Sequence, residues 1–290
     1  MLQYTLRRRR YKKDQLKNKE QSNPTTTYNP KFKYQNIPKI QFYTKEYMNE
    51  KHNESMEDII TIKKNFNNDP NKFLFCLFDG HCGNESAKFS SEKFPKIFLK
   101  NLNEIKPKNI EKSLINSYKI IDSQLKNENC FKEGNTATII YIEYNNLFCS
   151  NVGDSSCVII SKFKAEKISY DHLCNDINEK KRILKIGNFL ESNRLEGILN
   201  LSRSLGDFNL KKSGLISLPY IRKYCLSNND KFCIIASDGV WDVISLDLIF
   251  ELSKKIKFCN ELCDLIINEA INRGSKDNIS CIVIEFNWKY

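Results

Sequence analysis

The chain has 290 residues, 40% of them hydrophobic and 28% charged, with a formal net charge of +11 and eleven cysteines. That length allows one large domain with a real core or two small ones, and the composition places most of the chain in the soluble globular class. No window approaches 18 consecutive apolar residues, so no transmembrane span is expected.

The first stretch, MLQYTLRRRRYKK, is basic with no apolar segment behind it, so it does not read as a secretory signal; Leu2 is outside the myristoylation pattern. Residues 1–19 hold eight Lys/Arg against one Asp, which makes +7 of the +11 a property of this end alone. Residues 1–38 lack apolar periodicity and contain Pro24, Pro30 and Pro38. They are expected to form a basic, disordered tail and linker ahead of one folded domain at 39–290. The run Arg7–Arg10, Lys12, Lys13 admits a nuclear address or a phosphate-binding arm beside the plainer reading of a solvated tail. The plainer reading is preferred, so nucleic acid is not an expected partner, and the expected location is cytoplasmic and/or nuclear.

Order should begin near Ile40. Apolar runs rich in β-branched and aromatic residues follow at Ile59–Ile62, Phe73–Phe78, Thr136–Tyr141, Leu147–Asn151, Cys157–Ser161, Phe232–Ala236 and Ile279–Phe286. Helical spacing marks Ile110–Leu125, Leu246–Ile256 and Glu261–Ile271. The polar run Cys174–Arg194, with a short helical core, predicts a flap. Strands with short connections, a helix, then more strands indicate an α+β sandwich rather than strict βαβ alternation. The cysteines sit mostly inside apolar runs (Cys76, Cys149, Cys233, Cys281), where a thiol is a small hydrophobe. With no C-x-x-C pair and only three histidines a zinc cluster is not expected, and the odd cysteine count fits a reducing compartment.

The apolar run Phe73–Phe78 leads straight into Asp79, Gly80 and His81. Asp-Gly alone is a turn signal. The same grammar recurs, however, at Asp154 in FCSNVGD, at Asp238 and Asp242 in FCIIASDGVWD, at Glu57 and Asp58 before IITI, and at Asp277 before NISCIVIEF. Carboxylates gathered at the ends of core strands would repel one another and raise each other's pKa. A hard divalent cation, Mg²⁺ or Mn²⁺, relieves that conflict with oxygen ligands from several strands. Two such ions would activate a water for attack on phosphorus. Competing chemistries lack their spacing: there is no C-x₅-R cradle, no G-x-x-x-x-G-K-[ST] loop and no G-x-S-x-G elbow.

These stretches together resemble the metal-dependent Ser/Thr protein phosphatases of type 2C. The likeness runs in order through MED (56–58), FDGHCG (78–83), GNTA (134–137), NVGDS (151–155), DH (171–172), RLEG (194–197), LSRSLGDF (201–208), IIASDGVWDV (234–243) and GSKDN (274–278). It implies a four-layer αββα sandwich, two antiparallel sheets flanked by helices, with the metals in a cleft at one end. It implies hydrolysis of phosphoserine and phosphothreonine in proteins by a metal-activated water, in an enzyme expected to be a monomer. By resemblance, Glu57, Asp79, the Gly80 carbonyl, Asp238 and Asp277 would hold two Mg²⁺ or Mn²⁺ ions, with Asp58 beside them. His81 would be the general acid, and Asp154 and Asp242, with Asp238, would form a weaker third metal site. The flap would span roughly residues 172–193.

Three positions depart from the family pattern. Asn53 stands where the family usually has a phosphate-binding Arg, three residues before Met56, and an amide cannot supply a charged bidentate fork. A weak grip on phosphate and a high KM are therefore expected, lowered in Asn53→Arg, unless Lys51 or His52 fills the role. The same departure is the one support for the alternative reading, a phosphatase-like module that holds phosphoproteins without turning them over. Ser156 replaces an Arg, and Gly187–Asn188 replaces a Gly-Gly in the flap; both bear on local packing or flap shape.

Overall fold

The computed structural model describes residues 37–126 and 131–288, so the tail expected at 1–38 lies almost wholly outside the described residues. In chain order the strands are β1 (Lys39–Tyr47), β2 (Asp58–Lys63), β3 (Lys72–His81), β4 (Gly134–Asn135), β5 (Ala137–Glu143), β6 (Asn146–Val152), β7 (Ser156–Ser161), β8 (Ala165–Lys167), β9 (Leu190–Glu191), β10 (Arg194–Leu195), β11 (Leu205–Gly206), β12 (Tyr220–Cys225), β13 (Asp230–Ala236) and β14 (Ile279–Asn287). The helices are α1 (Glu85–Glu104), α2 (Ile110–Leu125), α3 (Ile177–Lys185), α4 (Asp238–Trp241), α5 (Leu246–Lys254) and α6 (Cys259–Asn272). One sheet has the order β1-β14-β13-β7-β8; the other has β11-β4-β3-β5-β6-β12, with β2 beside β3. Every pairing in both is antiparallel.

The apolar runs are unbroken because each central strand is buried on both faces. Along β3, Leu74, Cys76 and Phe78 point to a core shared with Phe94 and Phe98 of α1 and Leu114, Tyr118 and Ile121 of α2. The alternate residues Phe75 and Leu77 point the other way, onto Cys157, Ile159, Cys233 and Ile235 of the second sheet. The outer face of that sheet, through Val158, Phe232, Ile234 and Val283, is covered by Ile249 of α5 and Leu262 and Ile266 of α6. The result is the α-β-β-α layering that the resemblance implied.

Local chemistry accounts for the helix boundaries. The Asn109 side chain accepts from Lys112 N and caps α2. The 20-residue α1 has no counterpart among the expected helices, because Pro95 interrupts its pattern. Proline removes the donor that would bond Ser91 O four residues back; the Thr61 hydroxyl, from β2, supplies a donor to that carbonyl at 3.4 Å.

One boundary corrects the sequence reading. The apolar run marked the strand only as far as Phe78, with Asp79 at its end, but β3 continues to His81, because β4 extends the ladder with Gly80 opposite Asn135 and His81 opposite Gly134. Asp79 is thus a strand residue, opposite Asp58. The expected flap contains α3 and the β9–β10 hairpin around a small core of Cys174, Ile183, Leu195, Leu210 and Leu215. Buried Glu179 ties α3 to the chain beneath it by accepting from Arg203 (2.5 Å), Arg182 (2.9 Å) and Ser202 (2.9 Å).

Candidate metal centre

Two sheets packed face to face bring the ends of β2, β3, β6, β13 and β14 to one region. Asp58 begins β2, and Asp79 lies opposite it in β3. Asp154 follows β6 after Gly153, whose φ of 93° makes the turn and whose added Cβ would lie 2.6 Å from Thr136. Asp238 opens α4 directly after β13. Gly239 lets α4 abut the loop before β14, since a Cβ there would lie 2.1 Å from Asn278 O.

Carboxylate oxygens of Asp79, Asp154 and Asp238 all lie within 4.8 Å of one another. Burial, then the charges of Asp58, Asp238 and Asp154, push the Asp79 carboxyl well above the usual range. Burial, then Asp154, Asp277 and Asp242, raise Asp238 to about 8. Asp58, buried, and Asp154, partly buried, each rise to about 6 through desolvation and neighbouring acids, and Asp242 shifts upward for the same reasons. Asp277 acts on Asp58, Asp238 and Asp242 by its charge. The protein's own hydroxyls soften this only in part: Ser155 donates to Asp79 Oδ2 at 3.0 Å and Ser237 to Asp58 Oδ2 at 2.8 Å.

Each sequence-derived residue can be placed. Asp79, Asp154 and Asp238 form the tight cluster, so Asp154 adjoins Asp79 as well as Asp238. Asp58 is 3% exposed and hydrogen-bonded to Ser237. Glu57 is fixed by its backbone: its carbonyl accepts from Gly80 N at 3.1 Å, and its N–H donates to Asn278 Oδ1 at 2.7 Å. The departures also have partners. Ser156 Oγ donates to Asp171 Oδ1 at 2.6 Å, and Asn188 Nδ2 donates to Lys212 O at 3.0 Å.

His81 stands apart from the carboxylate cluster in its bonding. Its Nε2 lies 2.9 Å from Asp207 Oδ2 and 3.0 Å from Oδ1, and Ser204 Oγ donates to the same carboxylate at 2.6 Å. Asp207 was not singled out in the sequence, although it ends LSRSLGD with the same Gly-Asp grammar as Asp154. It is buried and left-handed, with φ of 50°, and its N–H donates to Glu133 O at 2.9 Å. Burial pushes the His81 imidazole down, but the bond and charge of Asp207 outweigh it, and its pKa is raised. Ser155, Ser237 and Asn278 were likewise passed over; nothing in a lone Ser or Asn marks a carboxylate partner.

The donor set tests which ion would fit. Clustered, partly desolvated carboxylate oxygens, with no thiol or imidazole among them, suit a hard divalent cation and not zinc or copper. Mg²⁺ and Mn²⁺ meet that requirement, and either would offset the mutual repulsion that raises these pKa values.

A family model described as Protein phosphatase 2C matches residues 45–279. Protein phosphatase 2C homolog 1 of Saccharomyces cerevisiae is 28% identical over 256 residues, 82% of this chain and 91% of its own. Probable protein phosphatase 2C 17 of Arabidopsis thaliana is 34% identical over 247 residues, 81% of this chain and 86% of its own. Among solved structures, a sex-determining protein of C. elegans superposes with a TM-score of 0.77 at 23% identity, over 85% of this chain and 64% of that one. The serine-threonine phosphatase 2C from Toxoplasma gondii superposes with a TM-score of 0.72 at 19% identity, over 88% and 96%.

Proposed function

Since the chain belongs to the protein phosphatase 2C family and is a protein serine/threonine phosphatase dependent on divalent metal, we propose that Glu57, Asp79, the Gly80 carbonyl, Asp238 and Asp277 hold two Mg²⁺ or Mn²⁺ ions. In the same reading Asp58 supports them, and Asp154 and Asp242 join Asp238 at a weaker third position. The observation that carries this is the convergence of Asp79, Asp154 and Asp238 within 4.8 Å, where ionised carboxylates repel one another and a shared cation would offset that repulsion. Cations bound there supply Lewis acidity toward a water and toward the phosphoryl oxygens.

The chain's own residues do the rest. The acids fix where charge is neutralised, and their placement on two rigid sheets keeps that geometry without reorganisation. His81 protonates the departing serine or threonine oxygen. Nε2–H donates to Asp207, which leaves Nδ1–H as the proton to be given. Asp207 and Ser204 set the ring's orientation. The substrate class is phosphorylated protein.

The test is phosphate release from a phosphoserine peptide by protein free of host phosphatases. Release that depends on Mn²⁺ or Mg²⁺ and is lost in Asp79→Asn supports the reading; release equally fast in EDTA contradicts it. Among the described residues no helix is long and apolar enough to cross a membrane. A cytoplasmic and/or nuclear location, with Arg7–Lys13 as an address or an inert tail, remains a reading of sequence, tested by fluorescence of a reporter fused to residues 1–38.

A further inference from the structure

Two irregular loops carry acids read above as metal ligands: residues 48–57, ending in Glu57, and residues 274–278, containing Asp277. No ladder joins them; side-chain amides do. Asn49, left-handed at φ 58° and buried, donates from Nδ2 to Ser275 O at 2.7 Å and to Asp277 O at 3.2 Å. Asn53 donates to Lys276 O at 3.0 Å and to Met48 O at 3.2 Å. Asn278 answers from the other side, donating to Met48 O at 2.8 Å and Ser55 O at 3.2 Å while accepting from Glu57 N at 2.7 Å. The carbonyls of Ser275, Lys276 and Asp277 are thus each held by an amide of the opposite loop.

This arrangement opposes a specific force. Asp277 carries charge of the same sign as Asp58, Asp238 and Asp242, and the 274–278 loop has no ladder of its own to hold it against that repulsion. Asn53 also has both amide hydrogens committed, one to each carbonyl, so neither is left for a phosphate. We propose that Asn53 is a positioning residue: it clasps the Asp277 loop to the Glu57 loop and so presets the metal centre, and it does not contact the substrate phosphate. The inference rests on the reading of Glu57 and Asp277 as metal ligands. It also changes the expectation for Asn53→Arg, because a guanidinium there replaces the clasp instead of adding a phosphate contact.

Calorimetric titration of the full chain with Mn²⁺ decides. Asn53→Leu keeps roughly the volume without the donors; Asn53→Ser, smaller and still polar, is the second variant should the first fail to fold. Removing a partner that orients a metal ligand costs about 10-fold or more in affinity. Both variants, and Asn53→Arg, are expected to bind Mn²⁺ about 10-fold more weakly than the natural chain, with turnover recovered by excess Mn²⁺. Mn²⁺ affinity unchanged in Asn53→Leu, or Asn53→Arg lowering KM for a phosphopeptide at unchanged Mn²⁺ affinity, overturns the inference. A natural chain that takes up no Mn²⁺ would instead overturn the metal-centre reading itself.

Discussion

His81 Nε2 lies 2.9 Å from Asp207 Oδ2, and the two residues are 126 positions apart in the chain. The carboxylate is held in turn by Ser204 at 2.6 Å. A protonated imidazole fixed in this way matters only if the leaving group needs its proton. A serine alkoxide does; para-nitrophenolate does not. His81→Ala should therefore cut turnover of a phosphoserine peptide by about 10²–10⁴-fold, and para-nitrophenyl phosphate far less. Asp207→Asn should show the same selectivity, smaller in size. Equal losses on both substrates would mean that the pair is only structural.

Gly134 faces this pair, and a Cβ on it would lie 2.0 Å from Asp207 Oδ2 and 2.5 Å from His81 Nε2. Gly134→Ala is expected to displace the dyad and reproduce the alkyl-selective loss of Asp207→Asn. Mn²⁺ affinity measured by calorimetry should stay near that of the natural chain. Loss of Mn²⁺ binding in this variant would show that the dyad and the carboxylate cluster are not separable.

How much of this was legible in the sequence depended on whether a feature announces itself locally. The core strands did, because burial on both faces leaves an uninterrupted apolar run, as in Phe73–Phe78. The acids did, because each sits beside such a run. The helix α1 did not: Pro95 and the serines around it mask an apolar face whose missing backbone bond is compensated by Thr61, a residue of another element. Strand β12 was missed because Arg222 and Lys223 break its pattern. The partners of Asp207 and Asn49 were not legible, because those contacts span long sequence separations, 126 positions for His81 and Asp207 and 226 for Asn49 and Ser275.

Glu179 anchors the flap, and its carboxyl titrates far below the usual range. Burial pushes it up, but Arg203 and Arg182 outweigh burial and hold it at about 2, against 4.5 unperturbed. A depressed carboxylate pKa contributes stability that is complete above 4.5 and is lost as pH falls toward about 2. Glu179→Gln, which strands two guanidiniums, is expected to cost about 3 kcal/mol. Thermal melts from pH 7 down to pH 2 should show the variant less stable at neutral pH and closing on the natural chain as pH falls through that window. A constant difference across the window would contradict the assignment.

Metal removal follows from the repulsion among the acids. EDTA should abolish turnover, and excess Mg²⁺ or Mn²⁺ should restore it. Ca²⁺ should bind yet support little turnover, because its coordination is looser. Binding only the folded chain, Mn²⁺ at 100 times its Kd should add about 2.7 kcal/mol of stability. A melting temperature identical with and without EDTA would count against a bound cation in the resting enzyme.

If Asp79 and Asp238, which lie within 4.8 Å of each other, hold the catalytic metal as proposed, removing either carboxylate must cost a metal site. Mn²⁺ titration of the natural chain beside Asp238→Asn and Asp79→Asn, each checked for an intact fold by circular dichroism, tests it most directly. Saturable Mn²⁺ binding is expected in the natural chain, and loss of at least one binding event, with nearly all activity, in each variant. Isotherms unchanged in Asp238→Asn would contradict it.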